Sequence, residues 1–130
     1  MSYVPDNLLY TASHEWLEKL DNGNYRIGIT EFAQSQLGDI VFVELPEVGE
    51  SHAQEDECGV VESVKTASDI YCPVAGTVTA ANDSLEDTPE LINDSPYDDG
   101  WIFEVEVADD ADLGHLMSAE DYRKSIEDED

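Results

Sequence analysis

The chain contains a run of β-prone residues, Gly59-Val60-Val61-Glu62-Ser63-Val64-Lys65-Thr66-Ala67-Ser68-Asp69-Ile70-Tyr71, followed by Pro73-Val74-Ala75-Gly76. The segments Val60–Val64 and Ile70–Val74 flank a short polar tip, which predicts a β-hairpin. Lys65 stands near the apex, where a side chain points into solvent. Solvated lysines are common in turns, but this chain has only three lysines. A lysine kept at a hairpin tip indicates a presented amine.

A turn symmetric about Lys65 predicts which side of the hairpin faces the core. Side chains alternate between the two faces of a strand, so the even-numbered positions share one face. That face is apolar apart from Glu62, and its members are Cys58, Val60, Val64, Ile70, Cys72 and Val74. In this register Cys58 and Cys72 face each other across the hairpin. We expect two buried free thiols rather than a disulfide.

Other segments predict turns, strands and a short helix. The Asn-Gly content of Asp21–Asn24 predicts a hairpin turn. Thr30 is expected to cap a helix over Glu31–Gln36 that ends at Gly38. The segment Ile40–Leu45 is apolar on both faces, which predicts a central strand.

The second half of the chain predicts further strands and a helical tail. Short strands are expected at Gly76–Ala80 and Trp101–Val107, with a loop over Leu85–Pro96, which contains two prolines. A helical tail is expected over about residues 110–128. The apolar residues Leu113, Leu116 and Met117 have helical spacing. Ser118 with Asp121 resembles a capping box.

These elements predict a mostly β fold in one domain over residues 1–130. Short strands with frequent turns are typical of a small antiparallel β architecture, here with a short helix in the N-terminal half and a C-terminal helical segment. The lysine hairpin, over about residues 58–74, is expected to protrude from it.

The composition is strongly acidic. Thirty-two Asp and Glu residues against five Lys and Arg residues give a net charge of −27. This charge argues against binding to nucleic acid or to anionic membranes. At 1 M salt the Debye length is only ~3 Å, so we interpret the acidity as adaptation to a salt-rich cytosol. An acidic docking surface for partners is a compatible alternative.

The sequence carries no targeting or catalytic pattern. No apolar run approaches the ~20 residues of a membrane span, and the N-terminus lacks a signal-peptide or transit pattern, so a cytoplasmic location is expected. The histidines His14, His52 and His115 are scattered, which argues against a zinc site. Nucleotide-binding and serine-hydrolase motifs are also missing. One presented nucleophile without a catalytic constellation favours a carrier over an enzyme.

The lysine segment resembles the lipoyl-attachment segment of the glycine cleavage H-protein family. The resemblance rests on Glu62-Ser63-Val64-Lys65 with Ser68-Asp69, and on further blocks in family order: Ser13–Trp16, Gly28–Gln34, Leu37–Pro46, Leu91–Tyr97 and Gly100-Trp101. It implies the lipoyl-domain fold, a flattened β-barrel or sandwich (a barrel-sandwich hybrid).

The resemblance also implies a function. Lys65 would carry lipoate through an amide bond, with Glu62, Val64 and Ser68 recognised around it. Lipoamide is a group carrier whose chemistry belongs to the cofactor. It would take an aminomethyl group from a pyridoxal-phosphate glycine decarboxylase to a tetrahydrofolate-dependent aminomethyltransferase. Its electrons would pass to dihydrolipoyl dehydrogenase.

The resemblance further implies a pocket for the loaded arm at Ser13, Glu15 and Asp69. Carboxylates give strong, charge-assisted hydrogen bonds to an ammonium group, and a serine oxygen adds an acceptor. A lipoyl-attaching enzyme is a further implied partner, and a monomer is expected. Without the resemblance, Ser13 is an ordinary turn residue and the two acids are ordinary surface acids.

Alternatives remain open at this stage. Biotin carriers flank their lysine with methionines, whereas Val64 and Thr66 stand here, and lipoyl domains of 2-oxoacid dehydrogenases usually place Asp before the lysine. A related lipoyl donor or relay protein without a role in glycine cleavage would use the same lysine. Decarboxylase and aminomethyltransferase genes beside this gene would favour glycine cleavage. A protein with a purely structural role is the remaining alternative.

Overall fold

The structure is a computed structural model that describes residues 4–11, 14–54, 56–107 and 116–129, with side chains to residue 126. Nine strands are present in these residues: β1 Leu9–Tyr10, β2 Glu15–Lys19, β3 Tyr25–Ile29, β4 Ile40–Glu44, β5 Ser51–His52, β6 Glu57–Ser63, β7 Ala67–Tyr71, β8 Gly76–Ala81 and β9 Phe103–Val107. Four helices accompany them: α1 Glu31–Leu37, α2 Ser84–Asp87, α3 Leu91–Asp94 and α4 Ala119–Glu129. None of these helices is long and apolar enough to cross a membrane.

The strands form two antiparallel sheets. One has six strands in the order β1-β2-β3-β9-β8-β5, and the other has three in the order β4-β6-β7. The predicted mostly β fold is therefore confirmed. Because the two sheets share no hydrogen-bonded strand pair among the described residues, the architecture is a sandwich and not a closed barrel.

Two apolar clusters hold the fold together. The larger cluster draws on both sheets, with Leu17, Ile27 and Phe103 from the six-stranded sheet and Val43 and Val61 from the three-stranded sheet. The smaller cluster packs α4 and α1 against β1 and β2; its largest members are Tyr10, Trp16, Phe32 and Tyr122. Both clusters depend on residues that are far apart in sequence.

The hairpin β6–β7 has a different register from the predicted one. Glu62 pairs with Ala67, so the turn is centred between Val64 and Lys65 rather than on Lys65. The buried valine near the tip is therefore Val61, which is 1% exposed, whereas Val64 is 69% exposed. The predicted core positions of Val60 and Val64 were wrong because one residue of slip moves a side chain to the opposite face.

A β-bulge restores the predicted pattern at the base of the hairpin. The register shifts between Glu57 and Gly59, which inserts one unpaired residue, Cys58, into β6. Cys58 and Cys72 are both buried and free, as the sequence predicts. Ile70 and Val74 are buried as well.

The apolar strand β4 lies at the edge of its sheet. The three-stranded sheet has β6 at its centre, so the predicted central position of Ile40–Leu45 was wrong. Val41 is 53% exposed and Phe42 is 49% exposed. A register shift between Ile40 and Phe42 disrupts the strand alternation, and an apolar residue on a strand face is buried only where another element covers it.

The predicted turn and helix caps are confirmed. The Thr30 hydroxyl accepts a hydrogen bond from the Ala33 N–H at 3.2 Å, and Gly38 ends α1 with φ +85°. Gly23 turns the β2–β3 hairpin with φ +88°. Helix α1 is one residue longer than predicted.

The segment after β8 and the tail differ from the sequence prediction. The two helices α2 and α3 replace most of the loop predicted over Leu85–Pro96. Met117 pairs with Tyr10 in an isolated β-bridge, so the helical spacing of Leu116 and Met117 was misleading. Helix α4 begins only at Ala119, after the Ser118 hydroxyl accepts the Asp121 N–H at 3.3 Å. Leu113 lies outside the described residues.

Candidate functional site

Lys65 stands at the tip of the β6–β7 hairpin. The Ser63 hydroxyl accepts the N–H groups of both Lys65 and Thr66 at 3.2 Å, and the Ser63 N–H donates to the Thr66 carbonyl at 2.8 Å. These bonds fix the two-residue loop formed by Val64 and Lys65. The lysine is exposed and makes no ion pair with any residue that the structure describes, so its amine is available for modification.

The stem of Lys65 lies over the end of helix α1. A Cβ atom placed on Gly38 would stand 3.2 Å from the Lys65 Cε and 3.7 Å from its Nζ. The Val64 N–H donates to the Asp39 carbonyl at 3.1 Å. The hairpin tip and the end of α1 are thus one packed unit.

A cleft of about 480 Å³ begins next to this unit. Its walls come from β2 and β3, from α1 and from the hairpin β6–β7; the lining residues are His14, Glu15, Ile29, Phe32, Ala33, Gln36, Leu37, Val61, Ser68, Asp69 and Ile70. Leu37, in the cleft wall, directly precedes Gly38, over which the Lys65 stem lies. The cleft wall and the lysine stem therefore meet at the end of α1.

Glu15 is the buried acid of the cleft. It is 3% exposed and accepts a hydrogen bond from the Thr11 hydroxyl at 2.7 Å. The Tyr71 backbone also donates to its carboxyl group. Burial raises the pKa of Glu15 to about 7, and these two hydrogen bonds offset only part of the shift. The carboxyl is therefore divided between its neutral and ionised forms near neutral pH.

Ser68 and Asp69 reach the cleft from the edge strand β7. Ser68 pairs with the buried Val61, and Asp69 pairs with Val60. Since neighbouring side chains on a strand point to opposite faces, Ser68 shares the inner face with Val61, and Asp69 lies at the rim. The predicted pocket residues Glu15 and Asp69 are both in the cleft lining. Ser13, the third, lies outside the described residues.

Comparison with known proteins places the chain in a family. The sequence model described as "Glycine cleavage H-protein" matches residues 8–129. A glycine cleavage system H protein from Listeria monocytogenes serotype 4b (strain CLIP80459) is 58% identical over 124 residues, which cover 95% of this chain and 98% of that protein. The chain belongs to the glycine cleavage H-protein family.

Other members of the H-protein family match all or nearly all of the chain. The glycine cleavage system H protein of Pectobacterium carotovorum subsp. carotovorum (strain PC1) is 52% identical over 130 residues, all of both chains. A crystal structure of a glycine cleavage system H protein from Mycobacterium marinum superposes with a TM-score of 0.88 at 38% identity, covering 95% of this chain and 99% of that one. The β-sandwich is thus the fold of an H-protein family member.

Sequence reasoning missed His14, which lines the cleft, and Tyr122, which contacts it from α4. The backbone of His14 is left-handed, with φ +69°, and its Nδ1 lies 2.8 Å from the Tyr122 hydroxyl. The same hydroxyl lies 2.7 Å from the Thr30 Oγ1, at the start of α1. Tyr122 also stacks on Tyr10, with ring centroids 4.7 Å apart. Helix α4 therefore joins two walls of the cleft in this H-protein family member.

In the part of the chain that the structure describes, no three His, Cys, Asp or Glu side chains are grouped so as to hold a metal ion. His14 contacts Tyr122, and His52 lies 2.9 Å from the Glu50 carboxylate. His115 lies outside the described residues.

Proposed function

We propose that this chain is the lipoyl carrier of the glycine cleavage system, with lipoate joined to the Lys65 Nζ through an amide bond. The observation that carries the proposal is an exposed lysine at a hairpin tip, packed beside a cleft that contains a buried acid. Bound lipoate supplies the redox-active disulfide that takes up an aminomethyl group and two electrons. The chain itself presents the lysine-linked arm and keeps its load away from water, so we propose a carrier and not an enzyme.

The residues around Lys65 fit recognition by a lipoyl-attaching enzyme. Glu62, Val64 and Ser68 are not covered by other parts of the described chain. They lie on both strands and in the loop of the hairpin, so an enzyme that reaches the amine meets all three. The rigid turn made by Ser63 fixes the amine relative to them.

The cleft fits a small cation at the end of a lysine-linked arm. Glu15 and Asp69 supply carboxylates from β2 and β7, and we place Ser13 with them from the segment that precedes β2. A positive charge beside Glu15 favours the ionised carboxylate and lowers its pKa below about 7. The ammonium group of a loaded arm would therefore be held by a charge-assisted hydrogen bond. An uncharged arm would be bound much more weakly.

The partners follow from the family. They are a pyridoxal-phosphate glycine decarboxylase, a tetrahydrofolate-dependent aminomethyltransferase, dihydrolipoyl dehydrogenase and the enzyme that attaches lipoate. We propose that the chain meets them as a monomer in the cytoplasm. We attribute its charge of −27 to a salt-rich cytosol, where screening keeps neighbouring carboxylates from repelling one another.

Mapping the modification tests the proposal. Intact mass and peptide mapping of protein from its native host should find lipoate on Lys65 alone. Lys65→Arg should abolish incorporation by a lipoyl ligase, while Lys19→Arg and Lys124→Arg should incorporate lipoate as the unchanged chain does. Lipoate on Lys19 or Lys124, or a native population with unmodified Lys65, would refute the assignment.

A further inference from the structure

Two cysteines lie in contact at the base of the hairpin that carries Lys65. Both belong to the larger apolar cluster, and each thiol shifts the pKa of the other. Cys72 is fully buried and Cys58 is 8% exposed. Neither thiol lines the cleft, so the proposed carrier function does not use them.

Strand geometry explains why these two residues meet. The Cys72 N–H donates to the Asp56 carbonyl at 2.8 Å. Cys72 therefore lies opposite Asp56, two positions before Cys58. The bulge at Cys58 turns its side chain onto the buried face that Cys72 occupies. Without the bulge, the register near the tip would point Cys58 away from the core. A specific backbone irregularity thus brings the two sulfur atoms together.

We propose that Cys58 and Cys72 form an oxidation site, at which hydrogen peroxide or an organic hydroperoxide closes an intrachain disulfide. The Cys58 sulfur attacks the peroxide, the O–O bond breaks, and a sulfenic acid forms with release of water or alcohol. The Cys72 sulfur then attacks the Cys58 sulfur, the S–O bond of the sulfenic acid breaks, the S–S bond forms, and water leaves. The two thiols lose two electrons and two protons, and the peroxide takes up both.

The surroundings of the two thiols should make this oxidation slow and should stop it at the disulfide. The interaction with Cys72 and then burial raise the pKa of the Cys58 thiol, so its reactive thiolate is scarce. Once the sulfenic acid exists, the adjacent Cys72 thiol intercepts it before a second oxidation. Sustained exposure to peroxide should therefore give a disulfide and not a sulfinic acid.

The cross-link would fix the hairpin without blocking its tip. It closes a loop of 15 residues, from 58 to 72, with Lys65 in the exposed part. The residue before Cys72 is Tyr71, whose backbone donates to the Glu15 carboxyl, so the cross-link lies directly behind the cleft wall. By restricting the unfolded chain, it should raise the melting temperature by roughly 10 °C.

Peroxide treatment of the purified full-length chain tests the proposal. Before treatment, the unfolded protein should take up two iodoacetamide groups; after treatment it should take up none. The cysteine peptides should appear as one linked species that has lost two hydrogens. A reductant should restore both thiols and the original melting temperature.

The variant Cys72→Ala is the matched control, because it keeps Cys58 and its bulge. Peroxide should leave its melting temperature unchanged and add oxygen to the Cys58 peptide. If this variant fails to fold, the peptide map of the unchanged chain decides alone. Two alkylatable thiols after prolonged treatment, oxygen added to either cysteine peptide of the unchanged chain, or links only between chains would overturn the proposal.

Discussion

The Cε atom of Lys65 lies 3.2 Å from the point at which Gly38 would carry a Cβ atom. Gly38 ends α1 with φ +85° and ψ −155°, a backbone region that is essentially restricted to glycine. One residue thus ends the helix and leaves space for the lysine stem. The amine and the α1 wall of the cleft are consequently positioned by the same contact.

Gly38→Ala should therefore disturb both the fold and the lysine. The strained backbone should lower the free energy of unfolding by about 1–3 kcal/mol. The new methyl group should also push the Lys65 stem aside, which slows lipoate incorporation relative to the unchanged chain. Urea unfolding and a lipoyl-ligase time course measure the two effects.

Gly23→Ala is the matched control for this experiment. Gly23 has φ +88°, and nothing lies within 4 Å of its virtual Cβ. Its replacement should lower stability through strain alone and leave the rate of lipoate incorporation unchanged. Equal rates for the two variants would show that the Gly38 contact does not position the lysine.

The hairpin illustrates what the sequence could predict. The two β-prone runs and the polar tip between them place Lys65 correctly in the loop, because a hairpin is local in sequence. The register could not be predicted, because it depends on the Ser63 hydroxyl that bonds Lys65 and Thr66 and on the bulge at Cys58. Both are details of backbone geometry that β-propensity does not encode.

Contacts between distant residues limited the prediction of the cleft. Glu15 and Asp69 were found through family resemblance, and no local pattern marks Glu15 as buried. The contact between His14 and Tyr122 spans 108 residues, so no periodicity could indicate it. Likewise, the apolar sequence of β4 could not show that Phe42 is left half exposed at a sheet edge.

The buried Glu15 should make stability fall as pH rises. Its folded pKa of about 7 lies above the ordinary value of 4.5, so the folded state binds more protons between these pH values. Stability from this group is complete below pH 4.5 and is lost as pH rises to 7. Glu15→Gln should therefore gain about 2–3 kcal/mol over the unchanged chain between pH 5 and pH 8. Urea unfolding across that range measures the difference.

Glu106→Gln controls for the removal of one negative charge. Glu106 is exposed on β9, so its replacement removes the same charge as Glu15→Gln without altering a buried group. A Glu15→Gln curve parallel to the Glu106→Gln curve would contradict a raised pKa at Glu15.

Tyr122→Phe should weaken the junction between α4 and the cleft. The lost hydroxyl contacts His14 at 2.8 Å and Thr30 at 2.7 Å, and Tyr122 is fully buried. Removing it leaves buried polar atoms without this partner, which should lower the free energy of unfolding by about 1–3 kcal/mol. Tyr25→Phe, at a buried tyrosine with no hydroxyl bond to the described residues, should change it by less than about 0.5 kcal/mol. Equal effects would show that the junction adds nothing to stability.

Salt should stabilise this chain strongly. The net charge is −27, and ion pairs of Lys or Arg among the described residues are few: Arg26–Glu104, Arg123–Asp6 and Lys124–Glu120. Screening should relieve the repulsion among the remaining acids. Melting followed by circular dichroism should shift upward from about 0.05 to about 2 M potassium chloride. An unchanged melting temperature would reject adaptation to salt.

The last prediction concerns how long the loaded carrier keeps its aminomethyl group. If Glu15 and Asp69 hold the cation away from water, Glu15→Gln with Asp69→Asn should accelerate its loss from the isolated carrier several-fold. Lipoate incorporation at Lys65 should not change, because neither residue is needed to present the amine. Protonation of Glu15 at low pH should mimic the substitution, so the advantage of the unchanged chain should shrink as pH falls. Glu106→Gln should decay like the unchanged chain. If the double variant also decays at the unchanged rate, the cation is held by residues other than Glu15 and Asp69.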